Sequence, residues 1–207
     1  MRVLITGGSE GIGYAFAEYF ANENASLILV ARNAGKLIWA QKHLEQKYNC
    51  EVMSICMDLS EMNSGEQLYM AADGKNLDVL VNCAGYGKSG RAEETDIETD
   101  ERMVGVNGIT PMTLSKLFVR DHKKGILINV CSTGAFQPGP YIASYYASKS
   151  FLLSYTQALA LENKDSELRI IALCPGPVDT AFYEKSGGKM SGFHESAEHV
   201  VSYCMSH

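Results

Sequence analysis

Short apolar runs alternate with longer amphipathic stretches along the whole chain. The runs Val3–Thr6, Ser26–Ala31, Glu51–Met57, Leu77–Asn82, Gly125–Val130 and Arg169–Cys174 are nearly unbroken and rich in aliphatic residues. Strands that read this way belong to a parallel sheet covered on both faces. Between them the spacing predicts helices over about Gly11–Asn22, Ala34–Tyr48, Asn63–Ala72, Thr99–Asp121 and Ser144–Asn163, with one more starting near Glu195. There is no linker rich in proline or serine, no internal repeat and no low-complexity tract. The pattern therefore predicts a single α/β domain over 1–207, a doubly wound parallel sheet of six strands with helices on both faces. Ligands of such a sheet bind outside the carboxyl ends of the strands, near the point where strand order reverses.

Composition narrows the functional classes. The net charge is −6 and basic residues form no run, so the sequence offers no footprint for nucleic acid or an anionic membrane surface. No apolar run approaches the roughly 20 residues of a membrane span. Because "RVLIT" reads as a strand from the second residue, we expect no signal peptide and a cytoplasmic protein. The six cysteines, Cys50, Cys56, Cys83, Cys131, Cys174 and Cys204, show neither a CxxC pair nor metal-binding spacing. Reduced thiols and no metal are the expectation.

Candidate chemistry begins at "TGGSEGIG", Thr6–Gly13, which follows the first strand and opens the first helix. Gly7, Gly11 and Gly13, with Ser9, Glu10 and Ile12 between them, make a turn whose backbone N–H groups can approach a pyrophosphate at a helix N-terminus. An unliganded glycine turn is the simpler alternative. After the second strand come Arg32 and Asn33, with no carboxylate to grip a ribose 2′-hydroxyl. Arg32 suits a 2′-phosphate, which favours NADP(H) over NAD(H), although Glu10 stands where a basic residue would have helped. Asp58, followed by Leu59, is a candidate for the adenine amino group or for capping the next helix. Asn82, Ala84 and Gly85 in "VNCAG" are candidates for a ribose site at the end of the fourth strand, with Cys83 read as a packed thiol.

"GPYIASYYASKSFLLS", Gly139–Ser154, holds three tyrosines. Only Tyr145 has a lysine, Lys149, four residues on and hence on the same helical face. A free phenol has a pKa near 10, and a neighbouring ammonium would lower it towards use in proton transfer. The spacing fits a solvent-facing pair equally well. Ser132, just past the fifth strand in "INVCSTG", tips the reading towards chemistry.

Together the motifs resemble the short-chain dehydrogenase/reductase family over essentially the whole chain: TGxxxGIG at Thr6–Gly13, NxAG at Asn82–Gly85, Asn107 in "VGVNG", Ser132, YxxxK at Tyr145–Lys149 and "PGPVDT" at Pro175–Thr180. The resemblance implies a Rossmann fold with a cofactor half, about 1–90, and a catalytic half, about 91–207. It implies that Tyr145 is the general acid in carbonyl reduction and the base in alcohol oxidation. Lys149 would hold the nicotinamide ribose and lower the tyrosine pKa. Ser132 would bind the carbonyl oxygen, and Asn107 would hold a relay water. Pro175, Gly176, Val178 and Thr180 would line the nicotinamide site. Two departures stand out. Cys83 replaces the family's common second asparagine, and the chain reaches His207 without the usual last strand, so we expect the sheet to lack it.

For a substrate, we expect a small apolar ketone, aldehyde or secondary alcohol. Phe136 and Tyr141 would form a wall, and the stretch Ala181–Glu195, with Phe182, Met190 and Phe193, would serve as a lid. Apolar residues on several faces of the two long helices suggest a homodimer or a higher homo-oligomer. The alternatives are an NAD(P)-binding regulator of the same fold without useful turnover and, less favoured, an epimerase or dehydratase.

Overall fold

The computed structural model describes residues 1–187 and 194–206. Six strands form one parallel sheet: β1 (Arg2–Thr6), β2 (Ser26–Ala31), β3 (Val52–Cys56), β4 (Val79–Asn82), β5 (Lys124–Val130) and β6 (Glu167–Leu173). Their order is β3-β2-β1-β4-β5-β6, which reverses direction between β1 and β4. The crossovers are α1 (Gly11–Asn22), α2 (Ala34–Tyr48), α3 (Ser64–Ala71), α4 (Ile97–Val104), α5 (Thr110–Asp121) and α6 (Ala143–Glu162). After β6 come the short α7 (Phe182–Ser186) and α8 (Ala197–Ser206).

Successive residues of a strand face opposite sides, and β1 divides the core accordingly. Val3 and Ile5 pack with Phe16 and Phe20 of α1, Leu37 and Leu44 of α2, and Val200 and Val201 of α8. Leu4 packs on the other face with Leu68 of α3, Leu114 and Phe118 of α5, and Leu159 of α6. Helices therefore cover both faces, as the apolar strands predict. Among the described residues, no helix is long and apolar enough to cross a membrane.

Two segments differ from the sequence expectation. The single helix expected over Thr99–Asp121 starts at Ile97 and is broken by a π-helical turn at Gly105–Ile109 between α4 and α5. Pro111 sits in the first turn of α5, where a missing N–H matters least. The expected lid contains α7, too short for periodicity to reveal, and Met190 and Phe193 lie outside the described residues.

Candidate active site

A cleft of about 720 Å³ runs along the carboxyl ends of the strands, from the glycine turn across the β1/β4 reversal to the end of β6. Gly7 adopts φ +71°, and a Cβ there would lie 3.0 Å from the Ala84 backbone. A Cβ on Gly13 would run into the Gly7 carbonyl. Backbone crowding thus demands glycine at both positions, so no side chain there covers the turn's backbone. Thr6 Oγ1 ties this turn to the end of β4, accepting from Cys83 N at 2.9 Å and Ala84 N at 3.0 Å.

Charge gathers at the far corner of the cleft. The Arg32 guanidinium lies 5.5 Å from the Tyr86 ring centroid. Asn33 caps α2, its Oδ1 accepting from Lys36 N at 2.9 Å. Glu10 pairs with Lys36 at 2.6 Å and with Lys185 of α7. Burial works against the Glu10 charge, yet the two lysines hold its carboxyl below the usual range. Asp58 accepts from Ser60 N at 3.0 Å and pairs with Arg102 at 2.8 Å, so it organises its own loop rather than capping α3.

At the other end lies a buried polar network. Tyr145 and Ser132 line the cleft together, the Ser132 side chain favouring the ionised phenol, and Ser132 Oγ accepts from Gly134 N at 3.0 Å. Lys149 is 5% exposed, and its Nζ donates to Val130 O at 2.7 Å. Asn107, fully buried in the π turn, accepts from Tyr86 N at 3.1 Å and donates to Tyr86 O at 2.9 Å and Ser148 Oγ at 3.1 Å. Ser148 in turn donates to the Tyr145 carbonyl at 2.7 Å. The bulge in the helix therefore pins both the loop after β4 and the start of α6.

The electrostatics correct one expectation. Burial pushes the Tyr145 phenol up to about 12, with the Ser132 side chain pulling the other way. Lys149 Nζ lies 5.9 Å from the tyrosine ring centroid. Its own pKa is lowered by burial, with the sulfurs of Cys131, Cys83 and Cys174 opposing that shift. In this structure burial sets the direction of the phenol's shift, which runs opposite to the lowering expected from Lys149.

The cleft brings together the sequence-proposed residues of the glycine turn, Arg32, Asn33, Asp58, Leu59, Ala84, Gly85, Ser132, Tyr145, Lys149, Pro175, Gly176, Val178, Thr180 and Phe182. It leaves out four. Asn107 sits beneath it as a brace. Asn82 is 3% exposed and turns into the sheet, donating to Asn129 Oδ1 of the adjoining strand at 2.8 Å and to Ser115 Oγ at 3.3 Å. Phe136 and Tyr141 are 66% and 64% exposed and stand outside the lining. Tyr141 has φ +64° in the turn before α6, which carries its ring away from the cleft. Their place is taken by Ile142, Tyr146 and Tyr183, with Phe182 tilted against Tyr145 at 5.2 Å between centroids. Lys36 also lines the cleft, and its place in the first turn of α2, three residues past the Asn33 cap, was a signal available in the sequence. Lys185 and Tyr183 carried no such signal.

Comparison with known proteins places this geometry. A family model described as short chain dehydrogenase matches residues 1–190. The chain is 26% identical over 184 residues to the very-long-chain 3-oxoacyl-CoA reductase of Mus musculus, covering 86% of this chain and 59% of that protein. It is 32% identical over 194 residues to the 3-ketodihydrosphingosine reductase of Bos taurus, covering 89% and 58%. The chain thus spans less than two thirds of the length of these two relatives. Among solved structures, a short-chain dehydrogenase from Sphingobium yanoikuyae in complex with NADPH superposes with a TM-score of 0.90 at 26% identity, covering 99% of this chain and 82% of that one. L-Sorbose reductase from Gluconobacter frateurii, complexed with NADPH and L-sorbose, gives 0.87 at 25%, covering 98% and 87%. With its sheet order, its glycine turn and a family match over most of its length, the chain belongs to the short-chain dehydrogenase family.

Proposed function

We propose that the chain is an oxidoreductase that interconverts an apolar ketone or aldehyde and its alcohol with NADP(H). The observation that carries this reading is that Ser132 and Tyr145, with Lys149 one helical turn on, line the same cleft as the glycine turn. The residues present fit a dinucleotide: the turn leaves room only for backbone, and its N–H groups open a helix. Arg32 and Lys36 at the far corner suit a 2′-phosphate, which favours NADP(H) over NAD(H). The NADPH-bound state of two structural neighbours supports the same choice.

When bound, the nicotinamide supplies the hydride. Tyr145 donates its proton to the carbonyl oxygen in reduction, and its raised pKa keeps that proton in place at neutral pH. Ser132 donates a hydrogen bond to the same oxygen as negative charge grows on it. Lys149, fixed by Val130 O, directs its remaining donors into the cleft, where a ribose would lie. Asn107 holds the frame beneath these groups, and a relay water beside it remains part of this reading. Val178 and Thr180 would meet the carboxamide. At the substrate end, Ile142, Tyr146, Phe182 and Tyr183 make an apolar wall. The relatives named as reductases of 3-oxoacyl-CoA and of 3-ketodihydrosphingosine act on carbonyls with apolar bodies, which supports that class. The exposed Ile97, Ile109 and Phe151 on α4, the π turn and α6 suit a homodimer face.

A binding-only regulator of the same fold is the second reading. The test is NADPH and NADH consumption with a panel of ketones and aldehydes, for wild type and Tyr145→Phe. Turnover that Tyr145→Phe abolishes is expected. Turnover that the variant keeps would remove Tyr145 as the acid, and NADPH binding without turnover would favour the regulator.

A further inference from the structure

The proposed chemistry leaves three thiols unused at the carboxyl edge of the sheet. Cys83 follows β4, Cys131 follows β5 and Cys174 follows β6, and all three sulfurs act on the charge of buried Lys149. Cys131 and Cys174 stand side by side. The register of β5 with β6 runs to Val130↔Leu173, so these cysteines are the next pair, and Cys131 N donates to Leu173 O at 2.7 Å. Residues at matching register point to the same face, and adjacent strands lie about 4.8 Å apart. That falls inside the roughly 4.4–6.8 Å between Cα atoms that a disulfide spans. Both side chains pack in one small cluster with Leu152 and Leu153, where Cys174 Sγ donates to Ala172 O at 3.9 Å.

The two thiols are chemically unequal. The neighbouring Cys131 side chain, the Ser132 backbone and the Lys149 charge hold the Cys174 thiol below its ordinary range, against burial. The neighbouring Cys174 side chain and burial together push the Cys131 thiol up. Cys83, pushed up to about 12 by burial, lacks this partner. A thiolate with a protonated thiol in contact is suited to attack an oxidant and then be resolved.

We propose that Cys131 and Cys174 form a reversible oxidation site, closed to a disulfide by hydrogen peroxide or an organic hydroperoxide, which displaces Ser132 and halts turnover. The Cys174 thiolate attacks the terminal peroxide oxygen, the O–O bond breaks and hydroxide leaves from hydrogen peroxide, or alkoxide from an organic hydroperoxide, giving a sulfenic acid. The Cys131 sulfur then attacks the Cys174 sulfur as its proton leaves, forming the S–S bond and expelling the sulfenic oxygen as water. The two thiols lose two electrons and the peroxide is reduced by the same two. An S–S bond of about 2.05 Å is far shorter than any contact between two unbonded sulfurs, so the ends of β5 and β6 are drawn together. Ser132 is the next residue on one side and Pro175 on the other, and both line the cleft. A shift of about 1 Å in a reacting geometry costs on the order of 100-fold in rate.

The linkage is independent of the proposed oxidoreductase function, and only its effect on turnover rests on that reading. The reduced full chain is treated with hydrogen peroxide, alkylated, and digested without reductant for mass spectrometry. A Cys131–Cys174 linked peptide is expected, released by dithiothreitol, with NADPH-dependent ketone reduction falling about 100-fold and returning on reduction. In Cys131→Ser, Cys174 should stop at the sulfenic acid and be captured by dimedone, while Cys174→Ser should yield neither product. Absence of the linked peptide, or oxidation confined to Cys56, overturns the site. A linked peptide with undiminished turnover overturns the switch. The mass readout stands whether or not any ketone is reduced, so failure of the oxidoreductase reading is told apart from failure of this one.

Discussion

The two ends of the cleft are built on different physics. The corner around Arg32 is assembled from exposed charges: Glu10, Lys36 and Lys185 pair there with a third to a half of each side chain in water. The edge around Tyr145 is assembled from buried hydrogen bonds, with Lys149 and Asn107 almost wholly enclosed. Exposed ion pairs are each worth about 0–1 kcal/mol and weaken with salt. Removing one partner from a buried network leaves a stranded polar group that costs about 1–3 kcal/mol. The corner can therefore discriminate between cofactors by small, adjustable steps, whereas the catalytic edge has little tolerance.

The sharpest way to break the contrast is Tyr145→Phe, which should lower turnover by about 10³-fold while leaving NADPH affinity within about threefold; both are read by steady-state kinetics and fluorescence titration. Next comes pH. The unfolded phenol ionises near 10 and the folded one at about 12, so the folded protein prefers the neutral form. That preference adds stability below about pH 10 and is lost as pH rises from there through 12. Carbonyl reduction should accordingly be flat from pH 6 to 9, whereas alcohol oxidation, which needs the phenolate, should rise about tenfold per unit. A reduction rate that falls with a midpoint near 7 would contradict the assignment.

Asn107→Ala strands the Tyr86 N–H and frees Ser148, so thermal unfolding should shift by about 2 kcal/mol, or roughly 6 °C. An unchanged Tm would mean the brace is not one. At the corner, Arg32→Ala should weaken NADPH about tenfold and leave NADH unaffected, with the difference shrinking at high salt. Equal losses for both cofactors would remove the 2′-phosphate role. The smallest effect is expected for Glu10→Gln: freeing Lys36 and Lys185 from their carboxylate should tighten NADPH about twofold at low salt.

The same contrast explains what the sequence disclosed. Strands buried on both faces must be apolar throughout, which made the inner strands legible, and the half-exposed edge strands β3 and β6 were legible from their aliphatic runs, all to within a few residues of their ends. The glycine turn was legible because backbone crowding admits nothing else at Gly7 and Gly13. Tyr145, Ser132 and Lys149 were legible from helical spacing and a strand end. Asn82 was misread because a strand end offers two faces, and its register partner Asn129 draws it inward, away from the cleft. Tyr141 was misread because its turn holds it at φ +64°, which residue type does not dictate for tyrosine, and Phe136 because it ends a 3-10 turn that leaves its ring exposed. Lys185 and Tyr183 reach the cleft only because α7 folds back across it, a tertiary event with no local signature.

The π turn at Gly105–Ile109 also acts as a phase shift. Each residue of an ordinary helix advances the side-chain direction by about 100°, and a turn that accommodates one extra residue carries that offset into everything downstream. Read as one continuous helix, Thr99–Asp121 shows apolar residues scattered around the barrel. Read as two helices out of phase, α4 buries Met103 while α5 buries Leu114 and Phe118. Deleting a single residue from this turn would bring the two halves back into step, and in doing so rotate Asn107 off Tyr86 and Ser148. The helix is thus out of step by design, at the one position where its irregularity supports the reacting groups.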